Sequence, residues 1–383
     1  MAEDTVRIGV IGVGGMGSGH CSMTPKIPGA RLTAVCDTAP ATLEKISRQH
    51  EVPGFNNHID LLDSGLVDAV TIATPHYFHP VIAEDAFARG LHVLTEKPMS
   101  VTVSEADRMI NASKKADRLL GVVYQMRTEA RSRAARQIVE SGMLGEVYRT
   151  LLVMGWYRSQ AYYNSGSWRA TWAGEGGGVL INQAPHYLDL FTWLAGLPTS
   201  VTGNTRTRLH DIEVEDEAFG LLEYANGAHG YLYASTTEVP QGNRIEICGD
   251  RGKLLLTDDS VKFYAIDGSI RDYTQNSREM WASPAVKEQD VEMPTEGEYR
   301  GHNAVIKNFV DAILHGTPLI ADGQQGLPAV ELINSLILSG HTNAKVSLPV
   351  DRGEYDALIA KLKASSHTDK VVVEQLVTDP KLV

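Results

Sequence analysis

Cysteine is scarce in this chain: Cys21, Cys36 and Cys248 are the only three in 383 residues, and no two of them form a CxxC pair. So few scattered thiols cannot staple a chain of this length, which points to a reducing compartment. Long apolar runs are missing too. The stretch after the acidic start Met-Ala-Glu-Asp-Thr is broken by glycines, and nothing approaches the roughly 18 residues of a membrane-spanning helix. The expectation is a cytoplasmic protein with no membrane partner. Positive charge is the third deficit: Lys plus Arg total 35 against 47 Asp plus Glu, a net charge of −12 and a pI near 5.5. Such a field repels polyanions and excludes broad nucleic-acid binding. Internal repeats are absent. Apolar residues at 43% and charged residues at 21% exclude collagen-like and disordered readings. The length exceeds what one hydrophobic core usually organises, so two domains are expected.

From Val6 to about Tyr124, short apolar runs alternate with amphipathic stretches. Val6 to Ile11, Arg31 to Cys36, Ala69 to Ala73, His92 to Thr95 and Leu119 to Val123 read as strands. Ala39 to Gln49, Val81 to Ala88 and Ser104 to Lys115 read as helices between them. This rhythm predicts an α/β domain over 1–124 with a doubly wound parallel sheet. After a basic helical stretch, Glu129 to Glu140, the pattern changes. Ala218 to Tyr224 and Ala228 to Thr237 flank Asn226-Gly227, and Ile245 to Cys248 with Lys253 to Thr257 flank Gly249 to Gly252. These hairpin signals predict a second domain over 125–350 with a mainly antiparallel sheet. Helical patterns from His302 to Leu314 and Leu327 to Gly340 are assigned to it, and 351–383 reads as a C-terminal helix and tail. The acidic run Asp211 to Glu217, with Ile212 and Val214 alternating, reads as a strand with a charged face rather than a metal site.

Gly12-Val13-Gly14-Gly15-Met16-Gly17 is G-x-G-x-x-G set directly after a predicted strand and before a helix. The first glycine permits the tight turn, the second lets the backbone approach a pyrophosphate, and the third allows close packing of helix on strand. Asp37 ends the second strand, twenty residues past Gly17, where a carboxylate accepts from the adenosine ribose. Its charge and the following Thr38 disfavour a 2′-phosphate, so the cofactor is expected to be NAD. Thr74 and Pro75 follow the strand read at Ala69 to Ala73, at the ligand-binding edge, with His76 and His79 as nearby loop residues that lack the spacing of a zinc site. Glu96-Lys97-Pro98 follows a buried strand, and Lys97 either pairs with a strand-end carboxylate or serves a ligand. Beside a nicotinamide, its ammonium would stabilise the oxygen of a hydroxyl undergoing oxidation. The expected cofactor contacts are thus Gly12, Gly14, Gly15, Met16, Gly17, Asp37, Thr74, Pro75, His76, His79, Glu96 and Lys97.

Gly176-Gly177-Gly178 leads into a helical pattern on which Asn182, His186 and Asp189 share one face, subject to a kink or delay at Pro185. His186 is the residue type suited to take a hydroxyl proton near neutrality, although a histidine on such a helix also fits a structural role. Taken together, GVGGMG, Asp37, Ala73-Thr74-Pro75, Glu96-Lys97-Pro98 and GGGVLINQAPHYLDL resemble the Gfo/Idh/MocA oxidoreductases over about residues 6 to 350. The resemblance implies an N-terminal Rossmann domain and a C-terminal α/β domain with an open sheet that often forms subunit contacts. It also implies that Lys97 and His186 are the catalytic pair. Asn182 stands where many members carry aspartate, and an amide can position a sugar hydroxyl but accept no proton. Asp189 is expected to orient the helix.

Six of the 17 residues from 156 to 172 are aromatic, against 7% overall. In this family their place before the glycine run puts them near the substrate, where rings stack on pyranose faces. Tyr157, Tyr162, Tyr163, Trp168 and Trp172, with Lys97, Asn182 and His186, are the expected sugar contacts. Arg158 and Arg169, with Arg127 at the domain junction, would suit an anionic substituent. The leading expectation is NAD-dependent oxidation of a secondary hydroxyl on a sugar or glycoside, by a dimer or tetramer. The alternative is an NAD-dependent glycosidase that oxidises C3 transiently, eliminates the aglycone, adds water and reduces the ketone again. That reading gives Tyr162 or Tyr163 an acid–base role and suits an anionic glycoside such as a sulfoquinovoside. A nucleotide-sensing binding protein is the non-enzymatic reading, opposed by the retained Lys97 and His186.

Overall fold

The structure, a computed structural model, describes residues 5–366 and residue 372. Its chain divides into two compact units. In the first, six strands form one sheet: β1 (Val6–Ile11), β2 (Ala30–Cys36), β3 (Gly54–Phe55), β4 (Ala69–Ile72), β5 (His92–Thr95) and β6 (Leu120–Val122). They are ordered β3-β2-β1-β4-β5-β6, and every pair is parallel. Each central strand is a short apolar run; Ala69–Ile72 is buried throughout, as expected of a sheet covered on both faces. The strand order reverses between β1 and β4, so the connections that leave their carboxyl ends turn to opposite sides of the sheet and leave a crevice there. Local chemistry sets the helices between them. Pro40 opens Pro40–His50, and a Thr102/Glu105 capping box opens Val103–Ala116.

The first unit takes the described residues up to Glu129 together with Thr295–Val330. That unit thus takes in 125–129 beyond the expected first domain, and the helix Gly301–His315 packs within it rather than with the second sheet as anticipated. Its Val305, Ile306, Phe309 and Val310 share a buried cluster with Val6, Ile8 and Leu94. An amphipathic pattern shows that a helix covers something, but not which sheet it covers.

In the second unit nine strands form a sheet: β7 (Val147–Tyr157), β8 (Ser200–Arg206), β9 (Glu217–Glu223), β10 (His229–Ser235), β11 (Thr237–Gly249), β12 (Gly252–Thr257), β13 (Val261–Ile266), β14 (Val286–Gln289) and β15 (Val346–Ser347). Their order is β14-β13-β12-β11-β7-β10-β9-β8-β15. Strands β7 and β10 run parallel and the remaining pairs antiparallel. Asn226-Gly227 turns β9 into β10, with Gly227 at φ +84°. Along β9, Ala218, Gly220 and Leu222 are buried while Phe219 and Leu221 stay exposed, so one face packs inward and the other is open. Leu336 fills the inward side against Gly203 and Gly220.

Two expectations fail here. The acidic run is not a strand: only Glu217 joins β9, and residues 207–216 form turns. Glu215, Asp216 and Glu217 are buried hydrogen-bond acceptors while Asp211 stays exposed, which an alternating pattern could not reveal. The helix bearing His186 begins at Pro185, so Asn182 lies in the turn before it rather than on its face. Proline has no N–H to give and suits the first helical position, so the helix starts there. Of the C-terminal segment, the helix Arg352–Ala364 is present; the expected tail lies largely outside the described residues.

Candidate functional site

In the first unit, the turn after β1 has the shape of an anion cradle. Gly12 holds φ +83°, and a Cβ there would lie 2.8 Å from the backbone of Ala73. A Cβ on Gly17 would lie 1.7 Å from the Gly12 carbonyl oxygen, so helix Gly15–Met23 can sit this close to the strand only as glycine. By contrast, a Cβ on Gly14 or Gly15 would meet nothing within 4 Å, which leaves open space at the helix N-terminus. Met16 is exposed beside it. The Asp37 carboxylate accepts from Val13 N at 2.9 Å and Ala39 N at 2.8 Å, which anchors its charge at the end of β2. Open glycines, a positive helix end and a fixed carboxylate together fit the pyrophosphate and ribose of NAD.

Thr74, Pro75 and His76 follow β4 at the same carboxyl edge. His79 is fully buried, with Nδ1 2.9 Å from the Pro98 carbonyl and Nε2 2.7 Å from that of Thr74. Burial pushes its pKa down, and both ring nitrogens are engaged within the fold. It fastens the Thr74 turn to the Lys97 turn, and this is what it can offer a cofactor. The Lys97–Pro98 peptide is cis. From Val93 to Val103, Lys97 is the one residue that is not buried. Next to it, Glu96 is buried against His20, whose Nε2 lies 2.7 Å from Oε1; His302 approaches the same oxygen at 4.0 Å. Burial pushes the Glu96 carboxyl up, but the His20 hydrogen bond and the nearby His20, His302 and Lys97 charges outweigh it and hold it at about 2. Arg127 is buried, its guanidinium donating to the carbonyls of Ile320 and Gln325 and to the Gln325 side chain.

In the second unit, a Cβ on Gly178 would lie 1.8 Å from the Glu215 carbonyl oxygen, so the glycine run presses onto the acidic segment. Glu215 Oε1 accepts from Gly178 N at 2.9 Å and Leu180 N at 3.1 Å, while Oε2 is buried without a partner. Burial pushes this carboxyl up to about 7. Asp216 accepts from the backbone N–H groups of Arg208, Leu209 and His210, and His210 links its Nδ1 to Asp216 and its Nε2 to the Arg158 carbonyl. From Glu175 to Thr192, His186 is the one residue that is not buried. Asp189 is buried.

Of the expected sugar contacts, Arg158, Trp168, Arg169 and Asn182 come together around Tyr162. Its hydroxyl receives Arg169 Nη1 at 2.9 Å, Gln183 Nε2 at 3.2 Å and Asn182 Nδ2 at 3.4 Å. Arg158 stacks over the rings of Trp156 and Tyr162, and Arg169 over those of Tyr162 and Trp168. Tyr157 is exposed. Tyr163 is buried, hydrogen-bonded to Thr236 at 2.7 Å, and its pKa is driven up by burial. That environment gives it no acid–base reach at neutral pH. Trp172 is also buried, its indole N–H donating to the Glu213 carbonyl. Sequence reasoning missed the parts played by Glu175, Glu215, His210 and His302. Glu175 alone carried a signal, as an acid set directly before the glycine run.

A parallel sheet in this order, with a glycine cradle, a strand-end aspartate and a lysine at the carboxyl edge, defines an NAD-dependent oxidoreductase. The chain belongs to the Gfo/Idh/MocA family. Residues 6–124 match the oxidoreductase family's NAD-binding Rossmann fold, and residues 132–255 match the GFO/IDH/MocA C-terminal domain. It is similar to the D-glucoside 3-dehydrogenase of Escherichia coli (strain K12), at 23% identity over 91% of this chain and 99% of that protein. The levoglucosan dehydrogenase of Pseudarthrobacter phenanthrenivorans is 26% identical over 87% of this chain and 95% of that protein. Among solved structures, the WlbA dehydrogenase from Bordetella pertussis, in complex with NADH and UDP-GlcNAcA, is 28% identical. That match covers 91% of this chain and 100% of the other, with a TM-score of 0.77.

Proposed function

We propose that this enzyme oxidises a secondary hydroxyl of a sugar or glycoside, with Lys97 and His186 as its catalytic residues. One observation carries the assignment: in each unit a long buried run opens at a single residue, Lys97 in one and His186 in the other. Leaving an ammonium and an imidazole partly accessible where their neighbours are buried is what a reacting group requires. Lys97 hydrogen-bonds the hydroxyl oxygen and stabilises the charge that develops on it, and His186 takes the hydroxyl proton. NAD, held by Gly12, Gly14, Gly15, Met16, Gly17 and Asp37, supplies the hydride acceptor. The wall of Trp156, Tyr162 and Trp168 with Arg158 and Arg169 supports a pyranose substrate, with Tyr157 exposed on the same strand as Trp156, since aromatic faces and guanidinium groups suit ring faces and polar substituents.

The test is a screen of purified protein with NAD and paired sugars and glycosides, following absorbance of reduced cofactor and release of aglycone. Net cofactor reduction supports the dehydrogenase. Aglycone release with no net reduction replaces it with the glycosidase, and a Lys97→Ala variant with full turnover removes Lys97 from the chemistry. Two further readings belong to this proposal. The free, buried cysteines Cys21, Cys36 and Cys248 suit a cytoplasmic enzyme. The open face of the nine-stranded sheet, with Phe219, Leu221 and Tyr231 exposed, suits a second copy of the chain.

A further inference from the structure

The residue at 182 is an amide, yet a carboxylate stands against it. Asn182 Nδ2 donates to Glu175 Oε1, and Glu175 is only 1% exposed. The other carboxylate oxygen, Oε2, accepts Ala170 N at 2.6 Å, and Arg169 Nη1 lies 3.9 Å from Oε1. Burying a carboxylate this completely is costly unless it is held by donors and used. Asn182 and the Ala170 backbone hold it, while the Arg169 guanidinium stands beyond hydrogen-bond reach. A carboxylate accepts and cannot donate, so it also decides the orientation of the amide: Nδ2 faces Glu175, and Oδ1 is the opposite end. The same Nδ2 lies 3.4 Å from the Tyr162 hydroxyl, which ties the orientation to the aromatic wall.

We propose that Glu175 is a positioning residue for sugar oxidation, fixing the Asn182 amide so that its carbonyl end serves as acceptor for a substrate hydroxyl. The inference rests on the sugar-oxidation reading above. Negative charge and hydrogen-bond acceptance, which an aspartate at 182 would combine in one side chain, are here divided between Glu175 and Asn182.

A reciprocal exchange tests it. Glu175→Gln removes the charge and frees the amide to turn, while Asn182→Asp sets two carboxylates against each other. Each single variant should lose about tenfold or more in kcat/KM for the sugar, with the Kd for NAD unchanged. The double variant restores one amide donor facing one carboxylate, with the two ends exchanged, and should recover to within about threefold of the parent. A role confined to folding would lower Tm and activity together and restore both in the double variant, whereas a positioning role lowers kcat/KM while Tm and the NAD Kd stay at the parent's values; thermal unfolding of each variant tells the two apart. If Glu175→Gln matches the parent, or the double variant is no better than the poorer single, the inference is overturned while the sugar-oxidation reading stands. A parent enzyme that reduces no NAD with any sugar or glycoside overturns both.

Discussion

Lys97 reaches its place on a buried turn, so replacing it tests chemistry more than packing. Lys97→Ala should lower kcat by about a hundredfold to a thousandfold, the range for removing one preorganised oxyanion donor, and leave the NAD Kd within about threefold. Rapid-mixing assays and cofactor titration on one preparation separate the two. Glu215 makes a different prediction. Its carboxyl is raised by burial to about 7 from an ordinary 4.5, so the folded state binds its proton more tightly than the unfolded chain does. The resulting stability is fully present below 4.5 and is lost as pH rises toward 7. Glu215→Gln, which keeps an acceptor for Gly178 N and Leu180 N, should therefore flatten the fall in Tm between pH 4.5 and about pH 7. An unchanged slope in that window would show that Glu215 does not titrate there. Glu96 runs the other way: held at about 2, it adds stability that is fully present above 4.5 and is lost as pH falls from there toward 2.

Within the turn after β1, two glycines only three residues apart should respond in opposite ways. Gly17→Ala drives a methyl into the Gly12 carbonyl and should cost about 1–3 kcal/mol of stability, read from denaturant unfolding without NAD. Gly14→Ala has open space around the new methyl but a ψ of −146°, outside the usual extended region, so its Tm without NAD should fall well short of the loss at Gly17 while its NAD Kd rises about tenfold or more. Equal loss of stability in both would mean that Gly14 is structural. The contrast mirrors what the sequence could reveal. Strands β1 and β5 were legible to the residue, because apolar runs bounded by turn residues leave little freedom, and the motif residues on their carboxyl ends came with them. The two-residue strand β3 carried no pattern to find. The helix Gly301–His315 was legible as a helix and not in its destination, because its apolar face fits either sheet. Asp211 to Glu217 misled because alternation describes a strand, whereas Glu215 and Asp216 are held by backbone N–H groups that only the folded chain brings to them. The partner of Glu175 was hidden for the same reason: Asn182 is brought to it by the path of the glycine run.

Over the whole molecule, a net charge of −12 keeps copies of the chain apart at long range, so any self-association must come from a local apolar face. The nine-stranded sheet offers one. Leu221 pairs across the strands with Tyr231, which pairs with Leu151, which pairs with Glu246. Leu221 is 53% and Tyr231 47% exposed, so an apolar row stands open on the outward side. At its far end Glu246 is gathered by Lys253, Arg149 and Arg244, which holds its carboxyl low against burial and leaves the cluster cationic rather than repelling the acidic chain. An apolar stripe beside compensating positive charge is what a second acidic copy would need. Leu221→Glu with Tyr231→Glu places two carboxylates directly opposite each other on that row. Sedimentation equilibrium should then show the parent as a dimer or tetramer and the double variant at a lower mass, with both variant and parent folded by circular dichroism. A parent that sediments at the mass of one chain, or a variant that keeps the parent's mass, would rule out this face as the contact.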